Sequence, residues 1–231
     1  MTKPDSANAV IAHIAQQTDK CLLFCSLGKD SLVLLDLIYP HFKHIVCVFM
    51  YFVKDLEHID MYIRYICKRY PNILFVQIPH WNLTYILRGG LYCVPNPDVK
   101  LLKLADIIKA MRLTYKIDFC FLGMKKADSM NRRLMLNAYA QNFYENKGLV
   151  YPLAEWTQRD ILAYMRQHHL PQPVRYSKNA SNGCGFNLDC FLWLRQHFPQ
   201  DLQKIYDAFP LSQRILYEYD QQHNNSATCP N

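Results

Sequence analysis

"FCSLGKDSLVLL", residues 24–35, decides how this chain is read. It ends one apolar run, turns through Ser26, Leu27 and Gly28, and resumes as a second apolar run from Leu32. The chain has only seven glycines in 231 residues, so one placed at such a junction marks a backbone requirement. A turn alone does not need Lys29, Asp30 and Ser31 behind it, whereas an anion does. Backbone N–H groups opening a helix, with the helix dipole behind them, face negative charge. Gly28 allows close approach of the backbone, Ser26 and Ser31 offer hydroxyls, and Lys29 adds a cation. Asp30 is placed to hold Mg²⁺ against the same phosphate oxygens. A Ser or Asp cap on a buried helix would explain Asp30 or Ser31, but leaves Lys29 beside an apolar helix without a reason.

Outward from this loop, apolar periodicity alternates between strand and helix. Residues 7–17 read as an amphipathic helix, 20–26 as a buried strand and 30–38 as a helix apolar nearly all round. A second strand spans 44–52, a helix 55–70 and a third strand 73–79, closed by Pro79. Residues 82–100 read as irregular, with Gly89-Gly90 and "VPNPD" supplying turns. A helix follows along Leu101, Leu104, Ile108 and Met111, then a fourth strand at 118–123. Helix is expected from Arg132 to Tyr144 and a fifth strand at 149–153. Thr157 and Asp160 form a capping pair that opens a helix to His168. Beyond a loop at 179–187, helical runs extend from Leu188 to about Tyr219. The fold expected is α/β: a Rossmann-like parallel sheet with helices on both faces, plus a mainly helical C-terminal region. Residues 1–176 are expected to be a nucleotide-binding domain, 177–219 its helical extension and 220–231 a disordered tail.

Composition narrows the class. A 51% hydrophobic, 19% charged chain is globular in type, and at this length folding buries about 70% of the extended-chain surface. The longest apolar run, Ile45–Val53, is nine residues, too short to cross a bilayer. The N-terminal stretch lacks a secretory h-region, and nine cysteines without scaffold spacing point to reduced thiols. A cytoplasmic location and no membrane partner are therefore expected. The net charge of +7 favours an anionic partner, but the basic residues are scattered and mark no nucleic-acid footprint.

The loop is not a Walker A motif, because Leu23 stands where that pattern requires its first glycine. It resembles the pyrophosphate loop, S-x-G-K-D-S, of the adenine nucleotide α-hydrolase (PP-loop) superfamily. "FLGMKKADSMNRR" (121–133) resembles the second motif of the phosphoadenosine phosphosulfate (PAPS) reductase family, Gly-x-Arg-x-x-Glu-Ser-x-x-Arg. Gly123, Ser129 and Arg132 match it, with Lys125 in the first Arg place and Asp128 in the Glu place. "YPLAEWTQRDI" (151–161) is similar to that family's Pro-Leu-x-x-Trp-Thr-x-x-Asp segment.

The resemblance implies ATP as ligand and Mg²⁺ at Asp30. Ser26, Leu27, Gly28, Lys29, Asp30, Ser31, Gly123, Asp128 and Ser129 would bind the nucleotide. Lys29, Asp30, Lys125 and Arg132 would carry the chemistry at the α-phosphate. Adenine would lie near Phe49–Phe52. The family's reductases carry a late Glu-Cys-Gly-(Ile/Leu)-His segment that this chain lacks. What remains is the activating half: an ATP pyrophosphatase that adenylates an acceptor, so that sulfur can displace AMP. Relatives of this kind serve RNA thiolation, sulfate activation and DNA phosphorothioation. Partners so implied are a cysteine desulfurase or other sulfur donor and a nucleic acid; homo-oligomerisation is left open. Cys184, in a glycine-flanked loop, is the candidate sulfur carrier, Cys190 reads as structural, and an iron–sulfur cluster is not expected. Two alternatives stand beside this reading: a sulfonucleotide reductase using Cys184 or Cys229, and a non-catalytic nucleotide-binding partner protein. The second draws on Leu27, which stands where many relatives have a further glycine.

Overall fold

The computed structural model describes residues 3–139, 143–144, 147–176 and 185–227. Its chain divides into two compact units. The first is built from residues 1–50, 65–78 and 104–173, the second from 51–64, 79–103 and 174–231.

The elements run α1 (Lys3–Ala15), β1 (Lys20–Phe24), α2 (Lys29–Ile38), β2 (His44–Tyr51), α3 (Glu57–Arg69) and β3 (Ile73–Pro79). Next come α4 (Leu83–Gly89), α5 (Leu104–Tyr115), β4 (Cys120–Leu122), α6 (Met130–Asn137), β5 (Phe143–Tyr144) and β6 (Leu149–Val150). The helices α7 (Gln158–Gln167), α8 (Leu188–His197), α9 (Pro199–Ala208) and α10 (Arg214–Ala227) complete the described chain, with a 3-10 turn at Pro210–Gln213.

The described strands form one sheet in the order β3-β2-β1-β4-β6-β5. β1 pairs in parallel with β2 and β4, and β4 with β6. This is the doubly wound α/β sheet expected from the alternating pattern, and its strands are continuous apolar runs because both faces are covered. On one face Leu22, Phe24, Val46, Val48, Cys120 and Leu122 pack with Ile108 of α5 and Leu136 of α6. The alternate residues Cys21, Leu23, Ile45, Cys47 and Phe121 are equally buried, as the two-residue period of a strand requires. Helix α2 packs on β1 and β4, and α1 and α7 pack on α2. The chain fills the sheet outward from β1 on one side, then starts again at β4 on the other. The carboxyl ends of β1 and β4 therefore form the switch point where such sheets bind ligands.

Three local expectations fail for identifiable reasons. Residues 82–100 are not wholly irregular: α4 occupies Leu83–Gly89, closed by Gly90 in the left-handed region at φ 75°, so the glycine pair is a helix stop. Helix α6 ends at Asn137, not Tyr144. Leu136 is fully buried, Tyr139 stacks on Tyr151 at 5.6 Å, and Phe143–Tyr144 instead adds an antiparallel edge to β6. That hairpin turns at Gly148, with φ 59°, where a Cβ would meet the Asp118 carbonyl oxygen at 2.0 Å. Finally, α10 continues past Tyr219 to Ala227, supported in its first turns by an Arg214–Glu218 ion pair one helical turn apart at 2.5 Å. The capping box at Thr157 and Asp160 forms as expected.

In the second unit, α8 and α9 pack together, and both α8 and the 3-10 turn meet α10. A buried polar network lies within it. Asp201 accepts from the backbone N–H groups of Glu57 (2.8 Å) and His58 (3.0 Å), capping the start of α3. The same carboxylate meets His58 Nδ1 at 2.7 Å, and His58 Nε2 lies 2.9 Å from the Tyr176 hydroxyl. Lys204 Nζ donates to Asp201 Oδ1 at 3.3 Å and to the Asp55 carbonyl. His58 and Asp201 are buried, and Trp193 and Phe198 enclose the imidazole. Burial pushes the His58 pKa below its ordinary value despite the carboxylate beside it. Burial alone would raise the Asp201 carboxyl, but the bonds it accepts hold it below the usual range. The network is therefore a neutral imidazole donating through Nδ1 to a carboxylate and accepting from tyrosine.

Candidate active site

Leu27 adopts φ 60°. This left-handed conformation costs a non-glycine residue roughly 1–2 kcal/mol, and Leu27 holds it with its side chain buried at 6% exposure. The glycine-like turn forms here without the glycine. Gly28 then caps α2 with extended backbone and makes no side-chain cap. Ser31 Oγ donates to the Gly28 carbonyl at 2.9 Å and lies 3.5 Å from Ser26 Oγ. The first N–H groups of α2 are thus left without the side-chain oxygen that helix starts usually use. An anion is the natural substitute. Cys25, directly before the loop, is buried, and burial pushes its thiol pKa up, which leaves it a poor nucleophile.

Behind the loop runs a chain of alternating charge. Lys29 Nζ lies 3.4 Å from Asp30 Oδ2. Lys125 Nζ lies 2.7 Å from Asp30 Oδ1 and 2.9 Å from Asp128 Oδ1. Asp128 Oδ2 in turn accepts from the Lys125 backbone N–H at 3.0 Å and from Arg132 Nη1 at 2.6 Å. The contact of Lys125 with Asp30 Oδ1 is close in distance but not aligned as a hydrogen bond, so charge attraction carries it. Partial burial would raise the Asp128 carboxyl, yet its bonds from Lys125 and Arg132 keep it below the usual range. Gly123 shows how near the two motifs lie: a Cβ there would be in ordinary van der Waals contact with Asp30, 3.4 Å from its carbonyl carbon and 3.5 Å from its Cβ. The end of β4 therefore lies directly on the first turn of α2. Ser129 caps α6, accepting from the Arg132 backbone N–H at 3.2 Å.

The residues named from sequence, Ser26 to Ser31 and Gly123 to Arg132, fall in one place at the switch point of the first unit. Arg132 keeps an exposed side chain, at 46%, and Lys29 a partly exposed one, at 22%, while Lys125 is buried. Three cations face two carboxylates, a balance that suits polyphosphate and does not by itself make a Mg²⁺ site, since Asp30 already has two ammonium neighbours. Among the described residues no cluster of three His, Cys, Asp or Glu is placed for a metal. Phe49 is core; Phe52 stacks on His80 at 4.8 Å. Cys190 is fully buried, whereas Cys184 and Cys229 lie outside the described residues. The pairing of Lys125 with Asp30 was not foreseen, because nothing local in either motif announces the other. Asp36 was also missed: it accepts from the Tyr70 and Tyr164 hydroxyls at 2.8 and 2.9 Å, fastening α7 to α2.

The model of the phosphoadenosine phosphosulfate reductase domain matches residues 20–184, a span holding the loop, the Gly123–Arg132 motif and the Thr157 capping box. The chain belongs to this family. Among curated relatives of this PAPS reductase-family chain is adenosine 5'-phosphosulfate reductase 2 of Bacillus subtilis (strain 168). The two are 26% identical over 173 residues, covering 72% of this chain and 71% of that protein. Among solved structures, the U34-tRNA thiolase NcsA from Methanococcus maripaludis with its 4Fe-4S cluster aligns at a TM-score of 0.50 and 13% identity. That alignment covers 92% of this chain and 78% of the thiolase. PAPS reductase from Candida auris, a phosphate complex, aligns at 0.47 and 13% identity over 72% and 81%. The thiolase shows a shared fold, the PP-loop fold expected from the sequence. No helix among the described residues is long and apolar enough to cross a membrane.

Proposed function

We propose that this chain is an ATP pyrophosphatase. It takes MgATP, with the β- and γ-phosphates on the Ser26–Ser31 loop, and delivers the α-phosphate to an acceptor oxygen. A bond forms from that oxygen to the α-phosphorus as the bond to the bridging β-oxygen breaks, and pyrophosphate leaves with the electron pair. Lys29 and the opening N–H groups of α2 stabilise that charge, and Arg132 supplies the second cation. This is electrostatic catalysis with no covalent intermediate on the protein. A sulfur nucleophile from a donor such as a cysteine desulfurase then displaces AMP from the adenylated acceptor, which we place among nucleic acids, RNA or DNA. The observation that carries the proposal is the uncapped start of α2 behind a left-handed Leu27, with Lys29 at its mouth.

The test is pyrophosphate release from ATP, with and without Mg²⁺, in wild type and Lys29→Ala. Lys29-dependent release supports the proposal. A second reading, sulfonucleotide reduction, is favoured by the similarity to the Bacillus subtilis reductase. Silence with ATP together with thiol-dependent sulfite release from PAPS or adenosine phosphosulfate would establish that reading instead. Tight nucleotide binding with neither product would leave a binding protein.

A further inference from the structure

We infer that Lys125 is a positioning residue: by neutralising Asp30 from inside the protein, it releases Lys29 to serve a polyphosphate. This rests on the reading of the loop as a polyphosphate site. The family pattern puts a nucleotide-facing cation at this position, but the Lys125 side chain is only 3% exposed. Its ammonium is engaged by Asp30 at 2.7 Å and Asp128 at 2.9 Å. Asp30 therefore stands between two ammonium groups, close to the buried one and at 3.4 Å from the partly exposed Lys29.

A bound anion needs Lys29 to leave Asp30. If Lys29 were the only counter-ion, its departure would strand a half-buried carboxylate beside an incoming polyanion, which is doubly unfavourable. Lys125 removes that penalty, because Asp30 stays paired when Lys29 turns away. The end of β4 lies against Asp30, which brings the Lys125 ammonium within 2.7 Å of its carboxylate. Charge counting gives a discriminating experiment. Lys29, Lys125 and Arg132 face Asp30 and Asp128, leaving one excess positive charge. Lys125→Met abolishes that excess, and adding Asp30→Asn restores it without restoring any donor at position 125.

Binding of inorganic pyrophosphate to the full chain is measured by titration calorimetry at fixed ionic strength. Lys125→Met is expected to weaken binding about tenfold, the scale of one partly screened charge. The double variant Asp30→Asn/Lys125→Met is expected to return to within about threefold of wild type. A double variant as weak as Lys125→Met overturns the proposal and makes Lys125 a direct ligand of the phosphates. Wild-type affinity in Lys125→Met also overturns it. Failure of wild type to bind pyrophosphate, or unchanged binding in Lys29→Ala, overturns the polyphosphate reading itself, and this proposal with it. Competitive acetylation of the ligand-free chain, read by mass spectrometry, is independent of ligand and of the Lys125 variants. Lys29 should be acetylated faster in Asp30→Asn than in wild type, and equal rates would sink the idea.

Discussion

Two polar networks in this chain are built from similar groups and end differently. In the second unit, Asp201, His58 and Tyr176 form a buried set: the carboxylate caps a helix, the imidazole bridges, and Trp193 and Phe198 pack on it. In the first unit, Lys29, Asp30, Lys125, Asp128 and Arg132 form a chain buried in the middle and open at both ends. Burial on all sides commits polar groups to one another, since any unmet donor or acceptor is costly. Open cationic ends leave charge to spend on a ligand. The buried network serves stability, and the open chain serves binding under the function proposed above.

Substitutions test that contrast, the largest effect first. Asp201→Ala removes the cap of α3 and leaves the His58 Nδ1–H buried without an acceptor. It should cost about 3–5 kcal/mol in urea unfolding; a loss below about 1 kcal/mol would mean the network does not hold the fold. Lys29→Ala should do the reverse. Pyrophosphate release should fall about 100-fold in kcat/KM, equivalent to about 2.7 kcal/mol. Unfolding should shift by less than about 0.5 kcal/mol, as for other surface changes.

Acidification distinguishes the networks further. The folded pKa of His58 is depressed, so below the ordinary imidazole value of about 6.5 the unfolded chain binds a proton that the folded chain refuses. The stability His58 contributes is present above that pH and is lost as pH falls toward its folded pKa, at up to about 1.4 kcal/mol per pH unit. Unfolding curves at pH 7.5 and 5.5 should show the loss, and His58→Gln should flatten it; an unchanged slope in the variant would place the titration elsewhere. The smallest effect belongs to Leu27→Gly. Relief of the left-handed strain, roughly 1–2 kcal/mol, partly offsets the lost leucine burial. The net destabilisation should be about 1 kcal/mol, below the about 2–5 kcal/mol usual for emptying a buried leucine site. A full-sized loss would show that the turn stores no strain.

Reading the chain outward from residues 24–35 recovered the alternating elements because each strand and helix declares itself over a few neighbours. The Thr157–Asp160 box was legible for the same reason: both partners lie within one turn. The elements misread were those decided by contacts at a distance. Phe143–Tyr144 carries helix-compatible neighbours, yet the free edge of β6 makes a strand of it. Residues 83–89 lack a strong start signal, and the helix there is settled by the buried Ile86 and the stop at Gly90. No spacing rule links Asp201 to Glu57 and His58, more than 140 positions away.

The amino-acid sequence by itself determined the α/β class, the Gly28 turn that opens α2 and the family, because glycine placement, capping and apolar period act through nearest neighbours. Tertiary structure alone decided that Leu27 would take a glycine's conformation, that Lys125 would be enclosed, and that Asp30 would stand between two ammonium groups. Those outcomes depend on β1 and β4 lying side by side at the switch point, where the end of β4 at Gly123 lies against Asp30 and two distant motifs touch. Charge and burial are properties of that juxtaposition, and no segment carries them before the sheet is assembled.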